Sequence, residues 1–256
     1  MKILCIGDIV GRVGREMVYE YLEKERFNYD LIIANGENAA HGRGITKNVY
    51  DELKRAGIDA ITLGNHAWGC PDIVNILKYN DDIIRPLNFD EGCPGCGSMI
   101  VKTRNNTLVG VVNLIGRVYM QPSDSPFLAV KREIEKLKEK TKIILVDFHA
   151  EATSEKIAMG YYLDGEVSAV FGTHTHVQTA DEAILPKGTG YITDLGMTGP
   201  IRSVLGMDKN VIIKKFLDGM PQKFEVANGK GRFCGCSFEI DEESGKTLSV
   251  KRICYE

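Results

Sequence analysis

Three times in the first eighty residues a short apolar run ends in a polar tip and gives way to helical periodicity. That repetition restricts the chain to a parallel sheet covered by helices. Lys2 to Gly7 meets Asp8, and beyond it Met17, Val18, Tyr21 and Leu22 share a helix face. Tyr29 to Ala34 ends in Asn35-Gly36-Glu37-Asn38, crosses a Gly-rich loop from Ala39 to Gly44 and enters a helix predicted over Lys47 to Ala56, stopped by Gly57. Asp59 to Leu63 ends in Gly64-Asn65-His66, ahead of a helix between Pro71 and Tyr79.

The remainder alternates less regularly. Short strands are expected over Asp81 to Phe89, Gly97 to Lys102 and Thr107 to Leu114, then a helix from Pro126 to about Lys140. Lys142 to Val146 reads as a buried strand ending in Asp147-Phe148-His149, and a helix over Ser154 to Leu163 leads to the apolar run before Gly172-Thr173-His174-Thr175-His176. Gly190 to Asp194 is one more strand, and Leu195 to Met207 reads as a Gly-rich loop. Gln222 to Ala227, Arg232 to Ile240 and Thr247 to Tyr255 read as antiparallel strands, with Asn228-Gly229 as a hairpin turn. Parallel units first and antiparallel strands last predict two packed sheets with helices outside, in a single domain over residues 1–256.

Composition narrows the function classes. A net charge of -3 gives no footprint for non-specific duplex binding, although it leaves room for a nucleotide or a short RNA at a local site. No apolar stretch approaches the ~20 residues that span a bilayer, and Met1 to Asp8 holds no signal-peptide core, so a cytoplasmic location is the expectation. The seven cysteines are an odd number, expected to be free thiols in a reducing compartment. Cys93 and Cys96 together with Cys234 and Cys236 offer a four-thiolate zinc knuckle on paper; the alternation of Cys234, Cys236, Phe238 and Ile240 favours a buried strand face instead.

The polar tips carry the chemistry. Of five histidines, His66, His149, His174 and His176 follow β-like runs. A parallel sheet gathers such tips at its carboxyl edge. Asp8, Glu37, Asn65, His149, His174 and His176 make an oxygen and imidazole donor set without thiolate, suited to iron, manganese or zinc. Six donors exceed one tetrahedral ion, and a carboxylate can bridge two. Two ions about 3.5 to 4 Å apart acidify a shared water and clamp both oxygens of an in-line phosphoryl displacement. His66, beside the donor Asn65, is positioned to protonate the departing oxygen as general acid.

Gly7-Asp8, Gly36-Glu37-Asn38, Gly64-Asn65-His66, His149 and Gly172-Thr173-His174-Thr175-His176 resemble the ordered blocks of calcineurin-like metallophosphoesterases. With Asp8-Ile9-Val10-Gly11-Arg12, Asn35 to Ala40 and Asp147 to Thr153, the chain is similar nearly end to end to the YmdB-like subfamily. The resemblance implies a four-layer α/β/β/α sandwich of two mixed sheets, a binuclear centre of iron or manganese, and phosphodiesterase activity on 2′,3′-cyclic nucleotides. It implies one metal on Asp8, Glu37 and His176 and a second on Glu37, Asn65, His149 and His174, with Asn38 touching the bridging water or phosphate. Two positions depart from the wider superfamily: Val10 stands where a histidine is usual, and Glu37 where an aspartate bridges.

Other residues are read as ordinary. Gly7, Gly11 and Gly14 lack dinucleotide-loop spacing, Arg12 and Arg202 read as solvated, and His41 as a loop residue. Glu151 and Ser154 read as caps of the following helix, and Trp68 as a buried support for the loop after His66. A regulatory metalloprotein that binds a nucleotide or RNA end is the alternative reading, and a small-molecule phosphomonoesterase a third. Pairing into a homo-oligomer is expected from size alone.

Overall fold

The computed structural model describes all residues, 1–256. In chain order the elements are β1 (Lys2–Ile6), β2 (Asp8–Ile9), α1 (Gly11–Glu25), a 3-10 turn, β3 (Leu31–Asn35), α2 (Lys47–Ala56), β4 (Ala60–Thr62), α3 (Ile73–Tyr79), β5 (Ile83–Ile84), β6 (Ser98–Lys102) and β7 (Leu108–Ile115). They continue with α4 (Pro126–Lys138), β8 (Ile144–His149), α5 (Thr153–Tyr162), β9 (Ala169–Thr173), β10 (Ala183–Ile184), β11 (Gly190–Ile192), β12 (Met197–Pro200), α6 (Lys209–Asp218), β13 (Gly231–Ile240) and β14 (Thr247–Tyr255).

Two mixed sheets result. One runs β2-β12-β13-β1-β3-β4-β5, with β14 paired to β13; the other runs β10-β11-β9-β8-β7-β6. Period-two alternation sends neighbouring residues of each strand to opposite layers. Ile3, Cys5, Leu31 and Ile33 face Val109, Val111, Leu145 and Phe171 between the sheets. Leu4, Ile6, Ile32 and Ala34 pack under Val18, Leu22 and Leu53 of α1 and α2. On the far side, Val112, Leu114, Ile144 and Val146 pack under Val130 and Ile134 of α4 and Met159 of α5. Three apolar clusters separating four layers give the expected α/β/β/α sandwich. No helix is long and apolar enough to cross a membrane.

Local chemistry explains the boundaries that matter. Helix α2 starts where the Thr46 side chain accepts from Val49 N at 3.3 Å, and it stops where Gly57 takes φ 106. Strands β1, β3 and β4 pair in parallel, as do β7, β8, β9 and β11, so their carboxyl ends emerge at common edges.

Several expectations are corrected. Leu195 to Met207 is not all loop, because Met197–Pro200 pairs with β2 and β13. Gln222 to Ala227 forms no strand beyond a single bridge at Val226, so Asn228-Gly229 closes no hairpin. Helix α6 precedes it, capped by Asp208 on the amides of Asn210 and Val211; only its Ile212 is buried, which erased the amphipathic signal. All seven cysteines are free, and Cys234 and Cys236 are buried on β13 whereas Cys96 is exposed, so no thiolate cluster forms.

Candidate metal centre

The parallel pairing lays Asp8, Glu37 and Asn65 at the carboxyl edge of the first sheet and His149 and His174 at that of the second. His149 closes β8 itself rather than following it. Its Nε2 lies 2.8 Å from Asn65 Oδ1, 3.0 Å from Glu37 Oε1 and 3.0 Å from His174 Nδ1. Glu37, His149 and His174 present possible ligand atoms all within 4.8 Å of one another. His176 Nε2 stands on the other flank, 3.3 Å from Asn38 Nδ2 and 3.8 Å from Asp8 Oδ1. Asp8 Oδ2 accepts from His174 N at 3.1 Å, while its Oδ1 is buried without a hydrogen-bond partner. All six sequence-predicted donors, with Asn38, therefore converge.

The imidazoles are oriented from behind. Thr173 Oγ1 donates its one proton to Asp147 Oδ1 at 2.7 Å, so it accepts from His149 Nδ1 at 2.9 Å and leaves Nε2 facing the cluster. His174 Nε2 meets Glu151 Oε2 at 3.1 Å, which turns Nδ1 inward. His176 Nδ1 donates to Leu205 O at 3.1 Å, which turns Nε2 inward. Each ring thus has an acceptor on its outer nitrogen and its inner nitrogen turned into the cluster, the orientation that metal-ligating histidines require. The buried, unpartnered Asp8 oxygen fits the same purpose. The donor set fits divalent metal.

The loop geometry is unusual where the site needs it. His174 and His176 take φ 99 and 64, a region that costs non-glycine residues energy. Gly64 is required for a different reason: a Cβ there would overlap the His149 ring and Glu37 Oε2. Its absence lets the Asn65-His66 turn close on the cluster, and His66 N then donates to Glu37 Oε2 at 2.8 Å.

Charge is concentrated in buried groups. Burial acts to lower His149, but the adjoining Glu37, Asp8 and Asp147 outweigh it and lift the imidazole to about 9. Burial acts to raise Glu37, and His149 and His66 overcome it, holding the carboxyl at about 2. Burial raises Asp8, and burial beside His149 lowers His174 to about 3. Metal-free, the His149 imidazolium neutralises a pocket of buried carboxylates. A metal ion at the same place supplies that charge and displaces the proton.

Sequence reasoning missed the support. Asp147, fully buried, accepts from Thr62 Oγ1 at 2.5 Å as well as from Thr173, and burial raises it to about 6. The available signal was a carboxylate two residues before His149, on the same strand face, inside an apolar run. Glu151 does not cap α5, which has no side-chain cap; it serves His174 instead. Val10 is buried where Cβ atoms at Gly199 and Gly206 would touch it, so that position packs against the β12 loop. Arg12 is solvated, paired at 3.4 Å with an exposed Glu16.

Over its full length the chain is similar to a crystal structure of a hypothetical protein from Thermus thermophilus, with TM-score 0.95, 42% identity and coverage of 100% of this chain and 99% of that one. It is also similar to a novel phosphatase from Mycoplasma pneumoniae, with TM-score 0.92, 37% identity and coverage of 99% and 92%. Sandwich and site together define the class: a hydrolase of metallophosphoesterase type, acting on phosphoester bonds. Residues 4–253 match the model of the YmdB-like protein family, and the chain belongs to that family. The 2′,3′-cyclic-nucleotide 2′-phosphodiesterase of Bacillus subtilis strain 168 is 50% identical over 255 residues, 99% of this chain and 96% of that protein.

Proposed function

We propose that the whole chain acts as one domain with a two-metal phosphodiesterase activity that opens 2′,3′-cyclic nucleotides, free or at RNA ends. The observation that carries this reading is the set of three imidazoles, each held on its outer nitrogen with its inner one turned into the cluster of carboxylates. Asp8, Glu37 and His176 would hold one ion, and Glu37, Asn65, His149 and His174 the other. Iron or manganese, with zinc as a further option, would supply there the charge that acidifies water and stabilises phosphoryl oxygens.

The chain's own residues do the rest. Asn38, 3% exposed between Glu37 and His176, directs its amide at the phosphate. Glu37 is fixed by His66 N on one oxygen and by Asn38 on the other. Water, having given up one proton to solvent, adds to phosphorus as hydroxide, the bond from phosphorus to the ribose oxygen breaks, and His66 gives that oxygen a proton and regains one from solvent. The relative's name points to release of the 2′ oxygen, which leaves a 3′-monophosphate.

The test is metal content of protein purified without added metal, with turnover of 2′,3′-cyclic AMP by the same sample. Close to two equivalents with turnover is expected. Failure to hold metal when iron or manganese is supplied sinks the reading; phosphomonoester turnover without diester turnover replaces it.

A further inference from the structure

We propose that the cavity beside Trp68 is the nucleobase subsite of this reaction, and that it favours bases bearing an exocyclic amino group over uracil. The inference rests on the cyclic-nucleotide reading above. Trp68 is the single tryptophan of the chain and sits two residues past His66. The turn that carries both is closed at each end: Ala67 N donates to Gly64 O at 3.1 Å and Gly69 N to His66 O at 2.8 Å. Two residues span at most about 7 Å, so the indole is within one nucleoside's reach of the group placed at the leaving oxygen.

The expectation that Trp68 is a buried support fails. Its ring leans on Phe89, with centroids 6.1 Å apart at 34°, and 38% of the residue stays exposed. An exposed indole beside a catalytic turn is a surface on which a flat base stacks.

The cavity that Trp68 and Phe89 line has a volume of about 390 Å³, and its other walls include Asp90, Gln121, Ser123 and Asp124. No Lys or Arg lines it, so it does not suit a second phosphate. Its walls are fixed to one another by Asn88, 2% exposed, whose side chain bonds Ile115 O at 2.8 Å and Asp124 O at 2.9 Å. Carboxylates accept and never donate when ionised. Adenine and cytosine present amino donors to such a wall, whereas uracil presents a carbonyl oxygen at the corresponding position. Asp90 and Asp124 therefore favour the amino-bearing bases over uracil, while the exposed Trp68 ring accepts any base.

Because Trp68 is the sole tryptophan, its fluorescence reads occupancy without any substitution. The wild-type protein is titrated with adenosine 3′-monophosphate, uridine 3′-monophosphate and ribose 5-phosphate, and kcat/KM is measured for 2′,3′-cyclic AMP and 2′,3′-cyclic UMP. The expected result is saturable quenching by the adenosine nucleotide, about tenfold weaker by the uridine one and none by the sugar phosphate, with a matching preference of about tenfold in kcat/KM. The double substitution Asp90→Asn and Asp124→Asn brings that ratio toward one. Equal quenching by all three probes, or none, overturns the base subsite. Turnover of both cyclic nucleotides with a silent Trp68 overturns it while leaving the phosphodiesterase standing. Base-dependent quenching without turnover of any cyclic nucleotide upholds the subsite and sinks the phosphodiesterase.

Discussion

Lys156 Nζ meets Asp194 Oδ2 at 2.6 Å in the interior, with both side chains at most 2% exposed. The same carboxylate accepts from Thr175 N at 3.2 Å and Thr175 Oγ1 at 2.7 Å, and its other oxygen accepts from Gly196 N at 2.8 Å. Thr175 lies between His174 and His176. A buried ion pair between α5 and the segment after β11 thus pins the turn whose two histidines hold positive φ, and offsets the strain those angles store.

Lys156→Met leaves Asp194 as an uncompensated buried charge. Breaking such a pair from one side costs about 3 to 5 kcal/mol. Urea unfolding of the metal-free protein is expected to show a loss of that size. A change below about 1 kcal/mol would mean that the pair contributes little to the fold.

Gly64→Ala adds one methyl where His149 and Glu37 already stand. Overpacking of this kind costs about 1 to 3 kcal/mol, and displacing a ligand shell costs about 10- to 100-fold in metal affinity. Metal titration should therefore show a large loss while the fold survives by circular dichroism. Unchanged affinity would show that the Asn65-His66 turn relaxes freely.

His66→Ala removes the imidazole and keeps the backbone amide that holds Glu37 Oε2 at 2.8 Å. Metal content should stay at the wild-type value, with turnover falling by about 10² to 10⁴. If the variant loses metal but keeps its activity per metal, His66 is a structural group and not the acid.

Burial pushes the Cys234 and Cys236 thiols up to about 12 and raises Cys5 well above its ordinary value. Proton binding is then stronger in the folded than in the unfolded chain. The stability it contributes is fully present below about pH 9 and is lost as pH rises toward about 12. Mass mapping after a thiol reagent at pH 8 should find exposed Cys96 and Cys254 labelled quickly and these three labelled only on unfolding. Fast labelling of Cys236 in the native protein would contradict its burial.

The donors were legible in the chain because a parallel sheet makes position along each strand predictive: Asp8, Glu37, Asn65 and His149 stand at or just beyond the ends of apolar runs, and His174 and His176 follow Gly172 at the end of another. The helix Lys47–Ala56 was legible for a similar reason, since Thr46 and Gly57 mark both ends locally. Local patterns did not reveal α6, whose apolar residues point outward, or β12, which becomes a strand only by pairing with β2 and β13.

The sequence by itself determined which residue types stand at the sheet edges, and with them the donor chemistry. Only the tertiary structure decided which nitrogen of each histidine faces inward. That depends on Thr173 and Asp147 behind His149, Glu151 beside His174 and the Leu205 carbonyl beside His176. Asp147 shares β8 with His149, but it acts through Thr173 on β9, and Glu151 and Leu205 reach their histidines from separate loops; no spacing along one segment encodes a contact between two. The exposure of Trp68 was decided in the same way, by how Phe89 and the walls tied through Asn88 pack around it.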